Sequence, residues 1–212
     1  MYKFASTVLH IVFQKFGKQV ITINKEKVPD EPYIVTCTHT GYVEVIMLAL
    51  SLYPTEINYM AKKELFSKDW SNKFFHSVNA FPVDREKPGP STLKIPVKLL
   101  NKGKSVGIFP SGHRAEAGGA PLKRGAATIA VLSNKPIVPA AFEGPNQVKS
   151  MFGFRQKSFI KFGDAIDPST FSSDLKKSEK IAKVMELLEE RTNTLQKEVT
   201  YIASKAQQKS LK

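Results

Sequence analysis

The chain has 212 residues, 42% of them hydrophobic and 10% aromatic, enough apolar material for one sizeable core and too much for wholesale disorder. A single cysteine excludes a disulfide scaffold and a cysteine-based zinc cluster. With 32 basic against 19 acidic residues the formal charge is +13, a field that draws nucleic acid, an anionic membrane surface or phosphorylated small molecules.

In chain order, Phe4 to Phe16 is broken by Ser6, Thr7, His10, Gln14 and Lys15. It is too short and polar to span a bilayer, which takes about 20 apolar residues, and it lacks a signal-peptide cleavage pattern. As a helix it gathers Phe4, Val8, Ile11, Val12 and Phe16 on one side, with Lys3, Lys15 and Lys18 in reach of headgroups. That suits a helix lying in a membrane interface, or one docked on its own core. Strands are expected at Val20 to Ile23, Tyr33 to Thr38, Ile57 to Met60, Ala80 to Val83, Val106 to Phe109, Ile137 to Phe142 and Ser158 to Phe162. Helices are expected at Val43 to Leu52, Lys63 to Phe75, Thr92 to Asn101, Gly125 to Leu132 and about Ser173 to Lys205. The alternation predicts a single α/β domain with a mixed, mainly parallel sheet flanked by helices. We expect an interfacial helix at 1–19, a core at 20–170 and a packed C-terminal helix at 171–212.

In such sheets ligands sit beyond the carboxyl ends of the strands. Three clusters fall there: Thr38 to Glu44, Phe81 to Arg85, and Phe109 to Arg114. His39 ends a strand, and Glu44 stands five residues on, in the first turn of a helix. The carboxylate can fold back onto one imidazole nitrogen, fixing the tautomer and leaving the other nitrogen as a base. This is the histidine–acid half of a triad without a protein nucleophile, so a substrate hydroxyl or amine would attack. Taken singly, a strand-end histidine is more often structural or incidental. Arg85 follows an apolar strand end, and Arg114 follows a Pro110-Ser111-Gly112 turn whose N–H groups can face an anion. A planar guanidinium and a close-approaching backbone suit phosphate. Either arginine alone reads as a surface ion pair; with the base they describe a site for a phosphate-bearing nucleophile.

Four blocks in this order resemble the motifs of the glycerolipid acyltransferase family, which includes 1-acyl-glycerol-3-phosphate acyltransferases. His39-x4-Glu44 is similar to its histidine–aspartate motif, Phe81 to Arg85 to its second, and Phe109 to Arg114 to its Phe-Pro-Glu-Gly-Thr-Arg block. Leu122 to Ala126 resembles its lysine–glycine segment, and Ile137 to Ala140 its proline-centred motif. The resemblance spans about Tyr33 to Gly144. It implies that His39 deprotonates the acceptor hydroxyl, which attacks the thioester of an acyl-CoA or acyl-carrier-protein donor. Glu44 would orient the imidazolium. Arg85, Ser111, Gly112 and Arg114 would hold the phosphate of a lysophospholipid, and Pro139 and His113 would stand at the rim. No metal or organic cofactor is implied. Glu44 replaces the family's aspartate, Ser111 its glutamate and His113 its threonine, which puts acceptor identity in question. Another lysophospholipid, a lipoprotein amine, or an impaired lipid-binding relative are the alternatives.

Cys37 reads as a small hydrophobe rather than a nucleophile, and His10 and His76 as structural. Two stretches mix aromatics with base as interfacial segments do: Met151 to Lys161, and Trp70, Phe74 and Phe75 among Lys62, Lys63, Lys68 and Lys73. The basic residues are scattered and no nucleic-acid-binding signature appears, so a nucleic-acid partner is not expected. The expected location is peripheral, on the cytoplasmic face of the cell membrane and against an anionic surface.

Overall fold

Short β-branched runs alternating with apolar helices can bury both kinds of surface by stacking helices on the faces of one sheet. The computed structural model describes residues 20–38, 41, 43–84, 89–109, 124–145 and 157–210. The N-terminal helix expected at 1–19 and the aromatic stretch from 151 lie outside them, apart from 157–161. The elements are β1 (Val20–Ile23), β2 (Ile34–Cys37), α1 (Val43–Leu52), β3 (Ile57–Lys62), α2 (Asp69–Ser77) and β4 (Ala80–Val83). They continue with α3 (Pro90–Asn101), β5 (Ser105–Ile108), α4 (Gly125–Ser133), β6 (Ile137–Glu143), β7 (Ser158–Phe162) and α5 (Lys177–Ser210).

Among the described residues the strands form one sheet in the order β1-β7-β6-β2-β5-β3-β4. All pairs are parallel except β6 with β7. Five strands, β6-β2-β5-β3-β4, therefore run one way, while β7 and β1 form a reversed pair at one edge. The mixed, mainly parallel α/β sheet expected from the alternation is present.

Strand side chains alternate between the two faces. Val35, Cys37, Tyr59, Val138, Ala140 and Phe142 pack with Val43, Met47 and Leu48 of α1. On the other face Ile34, Val106, Ile108 and Ile137 pack with Leu100 of α3, Ala126, Ile129 and Ala130 of α4, and Ile181, Val184 and Leu188 of α5. Farther along α5, Leu195, Val199 and Ala203 meet Ala141 and Phe159. Full burial of each large aliphatic side chain contributes about 1.5–3 kcal/mol. The alanines of α4 bring its axis close to the sheet, and Asn134 at φ 52° ends it in the left-handed conformation.

Two helices differ from expectation. The stretch read as Lys63 to Phe75 is a 3-10 turn, Lys63–Phe66, followed by α2. Ser67 and Lys68 break it, with the Lys68 carbonyl accepting from the Ser71 hydroxyl at 3.0 Å. The last helix starts at Lys177 rather than Ser173. Ser172 and Asp174 hydrogen-bond each other in a local turn, and Glu179 reaches back to accept from the Lys176 N–H at 2.6 Å, as the second half of a capping box does.

Candidate active site

The carboxyl ends of β2, β3, β4, β5 and β6 share one edge of the sheet. The three clusters singled out in the sequence follow β2, β5 and β4. β2 and β5 are neighbours, and β4 lies two strands beyond β5. At about 4.8 Å per strand, the first and third clusters leave the sheet about 5 Å apart, and the second about 14 Å from the first. Glu44 and Pro139 are described, whereas His39, Arg85, Ser111, Gly112, His113 and Arg114 lie outside the described residues.

Glu44 is 0% exposed. It sits in the first turn of α1, where the helix dipole and free N–H groups favour a carboxylate. Its Oε1 accepts from the backbone N–H of Gly41 at 2.9 Å. Taking a carboxylate out of water is costly unless it is hydrogen-bonded, so this donor helps to hold the charge in place. Cys37, the last residue of β2, is close enough to feel it. Burial first, and then the Glu44 charge, push the Cys37 thiol well above its ordinary value of 9.0. A thiol held neutral in this way is no nucleophile at neutral pH, and Cys37 is packing, as its sequence position suggests.

Further contacts fix where each strand releases the chain. The β2–β6 ladder runs to Cys37 opposite Ala140, and the Thr38 hydroxyl extends it by accepting from the Phe142 N–H at 3.0 Å. Thr38 immediately precedes His39. At the end of β4, Asp84 makes an ion pair with Lys63 at 2.5 Å, joining the strand end before Arg85 to the turn that follows β3. Partly exposed pairs of this kind contribute at most about 1 kcal/mol, so the pair matters here for position. At the end of β5, Phe109 is stacked on Tyr59 with ring centroids 6.4 Å apart. Tyr59 lies across Gly107, where a Cβ would stand 2.5 Å from its ring. Only glycine lets that ring cross the strand and brace the residue before Pro110.

Pro139 is buried within β6. It sits opposite a bulge: between the Ala140–Phe162 pair and the Ile137–Ile166 bridge, two residues of β6 face three of the partner chain. A proline is tolerated in a central strand at such a bulge. The Pro139 carbonyl accepts from the Gly163 N–H at 2.9 Å, and a Cβ on Gly163 would meet Leu195 at 2.8 Å and Pro139 at 3.1 Å. Pro139 thus seats α5 on the sheet, on the face opposite Cys37.

Sequence reasoning found Glu44 from its spacing. It missed Lys63 and Tyr59, because their partners are distant in the chain and neither lies in a motif.

A mainly parallel sheet in which β2, β4 and β5 lead into these three clusters at one edge has the layout of an α/β protein that takes its ligand beyond the strand ends. The family model described as Acyltransferase matches residues 19–143, more than half of the chain, and the protein belongs to that family. The chain is 43% identical to a 1-acyl-sn-glycerol-3-phosphate acyltransferase of Bacillus subtilis (strain 168), over 92% of this chain and 97% of that one. It is 35% identical to a protein of the same name from Streptococcus pneumoniae, over 73% of this chain and 56% of the other. The crystal structure of a 1-acyl-sn-glycerophosphate acyltransferase from Thermotoga maritima matches with a TM-score of 0.65 at 22% identity, over 92% of this chain and 80% of that chain, a likeness of fold.

Proposed function

We propose that the protein moves a fatty acyl chain from a thioester donor to the free hydroxyl of 1-acyl-glycerol-3-phosphate, forming phosphatidate. The observation that carries this reading is the likeness, over almost the full length of both chains, to the Bacillus subtilis enzyme of that name. The histidine–acid spacing at the end of β2 supports the same chemistry.

In this reading His39 takes the proton of the acceptor hydroxyl as its oxygen attacks the thioester carbonyl. The tetrahedral intermediate collapses and the thiolate leaves, protonated by the His39 imidazolium with the proton taken from the hydroxyl. Glu44, held by the Gly41 N–H, orients the ring and stabilises its charged form. Arg85, Ser111, Gly112 and Arg114 bind the acceptor phosphate, with His113 beside them. The donor is an acyl-CoA or an acyl-carrier protein.

Among the described residues no helix is long and apolar enough to cross a membrane. The substrate is a lipid, so we place the enzyme on an anionic membrane surface, held by the 1–19 segment and by its net charge of +13. The test is to incubate pure protein with a panel of lysolipids and both thioester donors, and to read the products by mass spectrometry. Phosphatidate from lysophosphatidate is expected. Acylation of a different lysolipid or of an amine, with none of lysophosphatidate, overturns the acceptor assignment.

A further inference from the structure

Large apolar side chains that stay in water on a folded protein are rare enough to call for an explanation when they cluster. Among the described residues the exposed ones are Leu65, Trp70, Phe74, Leu132 and Tyr201. Three of these five fall within the short stretch from Leu65 to Phe74. Trp70 is 69% exposed, Phe74 54% and Leu65 36%.

The helix that carries two of them has its apolar side turned the wrong way for a packed element. α2 docks through Ser71, its one buried residue, and through Phe75, whose ring lies 5.4 Å from Phe66. Trp70 and Phe74, one turn apart, point outwards together. Exposed Lys68 and Lys73 lie within three residues of them in the chain; Lys62 and Lys63 stand farther back, paired with Glu64 at 3.7 Å and Asp84 at 2.5 Å, and Asp69 is the remaining acid of the stretch. Aromatics outermost with a collar of lysine are what an interfacial helix shows to anionic lipid. The location fits as well. This stretch leaves the carboxyl end of β3, between the ends of β4 and β5, on the edge where the clusters lie.

We propose that the outer face of α2, with Leu65 beside it, is a membrane-contact surface that inserts Trp70 and Phe74 among the acyl chains of an anionic bilayer. It would hold the edge carrying Glu44 against the lipid. The proposal rests on the lysolipid reading above only for its purpose; the contact can be measured without turnover. An acidic carrier protein is the competing occupant. Two of the four lysines already pair with acids, whereas Trp70 and Phe74 are more than half exposed, which favours an apolar occupant, lipid, over an acidic protein.

Trp70 is the single tryptophan of the chain, so its emission reports this one surface. The full-length protein is mixed with vesicles of equal parts phosphatidylglycerol and phosphatidylcholine, with and without brominated acyl chains. The expected result is a blue shift and quenching by the brominated lipid. In parallel, the Trp70→Ser/Phe74→Ser double variant should bind the vesicles at least about tenfold more weakly. It should keep wild-type turnover on a soluble short-chain lysophosphatidate and lose it on acceptor embedded in vesicles. Protein that pellets with vesicles while Trp70 emission is unmoved overturns the proposal, as does an emission shift produced only by an acyl-carrier protein. If the wild type acylates no lysolipid but Trp70 is still quenched by brominated lipid, the enzyme reading fails and the surface stands.

Discussion

The backbone N–H of Gly41 donates to Oε1 of Glu44 at 2.9 Å, closing a turn between the end of β2 and the first turn of α1. The bond sets the position of a carboxylate that has no route to solvent. The bond is made by the glutamate arm at its full length. Glu44→Asp draws the oxygens back by one methylene and should lower kcat/KM by up to about 100-fold, the usual scale for a misplacement near 1 Å. Glu44→Gln keeps the reach but loses the charge and should also lose most activity. Steady-state acyl transfer with both variants, alongside vesicle binding that stays unchanged, checks this.

His39→Ala should lower turnover by about two to four orders of magnitude, the usual contribution of a positioned base. Its melting temperature should stay close to wild type, since the residue is polar and follows a strand end. Activity within threefold of wild type would sink the assignment.

Gly107→Ala tests the bracing of Phe109. The added methyl must displace the Tyr59 ring, and overpacking of this kind costs about 1–3 kcal/mol. A urea melt should show the midpoint fall with an unchanged slope. Activity should fall further than stability alone explains, because Phe109 leads directly into the third cluster.

Cys37 gives a pH prediction. Its thiol stays protonated in the fold but ionises above 9.0 in the unfolded chain. Above that pH the unfolded state binds fewer protons, so stability falls as pH rises, by about 1.4 kcal/mol per unit from this group. At neutral pH the group contributes no slope. Cys37→Ala should remove that alkaline loss in melts from pH 8 to 10.5, and should leave acyl transfer within threefold at pH 7.5. Iodoacetamide should leave the native enzyme active.

What the sequence made legible follows from the range of the forces involved. Val43–Leu52 is an apolar run ended by Pro54, and both signals are local, so its bounds could be read directly. The break at Ser67 and Lys68 could not, because both flanks carry residues that tolerate helix. Ser172 and Asp174 delay the last helix through side-chain bonds that compete with the backbone, which periodicity does not register. The reversal of β7 and β1 depends on long-range pairing that no short pattern encodes. At the candidate site, Glu44 announced itself by spacing, whereas Tyr59 over Gly107 and Lys63 on Asp84 join residues that only the folded sheet makes neighbours. Pro139 entered through its motif alone, and its burial opposite the bulge depends on pairing between β6 and residues 162–166 that no short pattern encodes.

The reversed edge pair also decides which side of the protein can be handled. Because β1 runs against β6, Val20 lies at the edge that carries the clusters. The last turns of α5 reach the same edge, where the Thr200 hydroxyl donates to Glu143 at 2.7 Å. A label attached at Val20 or on the last turns of α5 would therefore stand at the working edge. The opposite edge offers exposed turns at Pro54–Thr55 and Lys102–Lys104. Labels, surface attachment or a circularly permuted break placed there would leave the working edge clear.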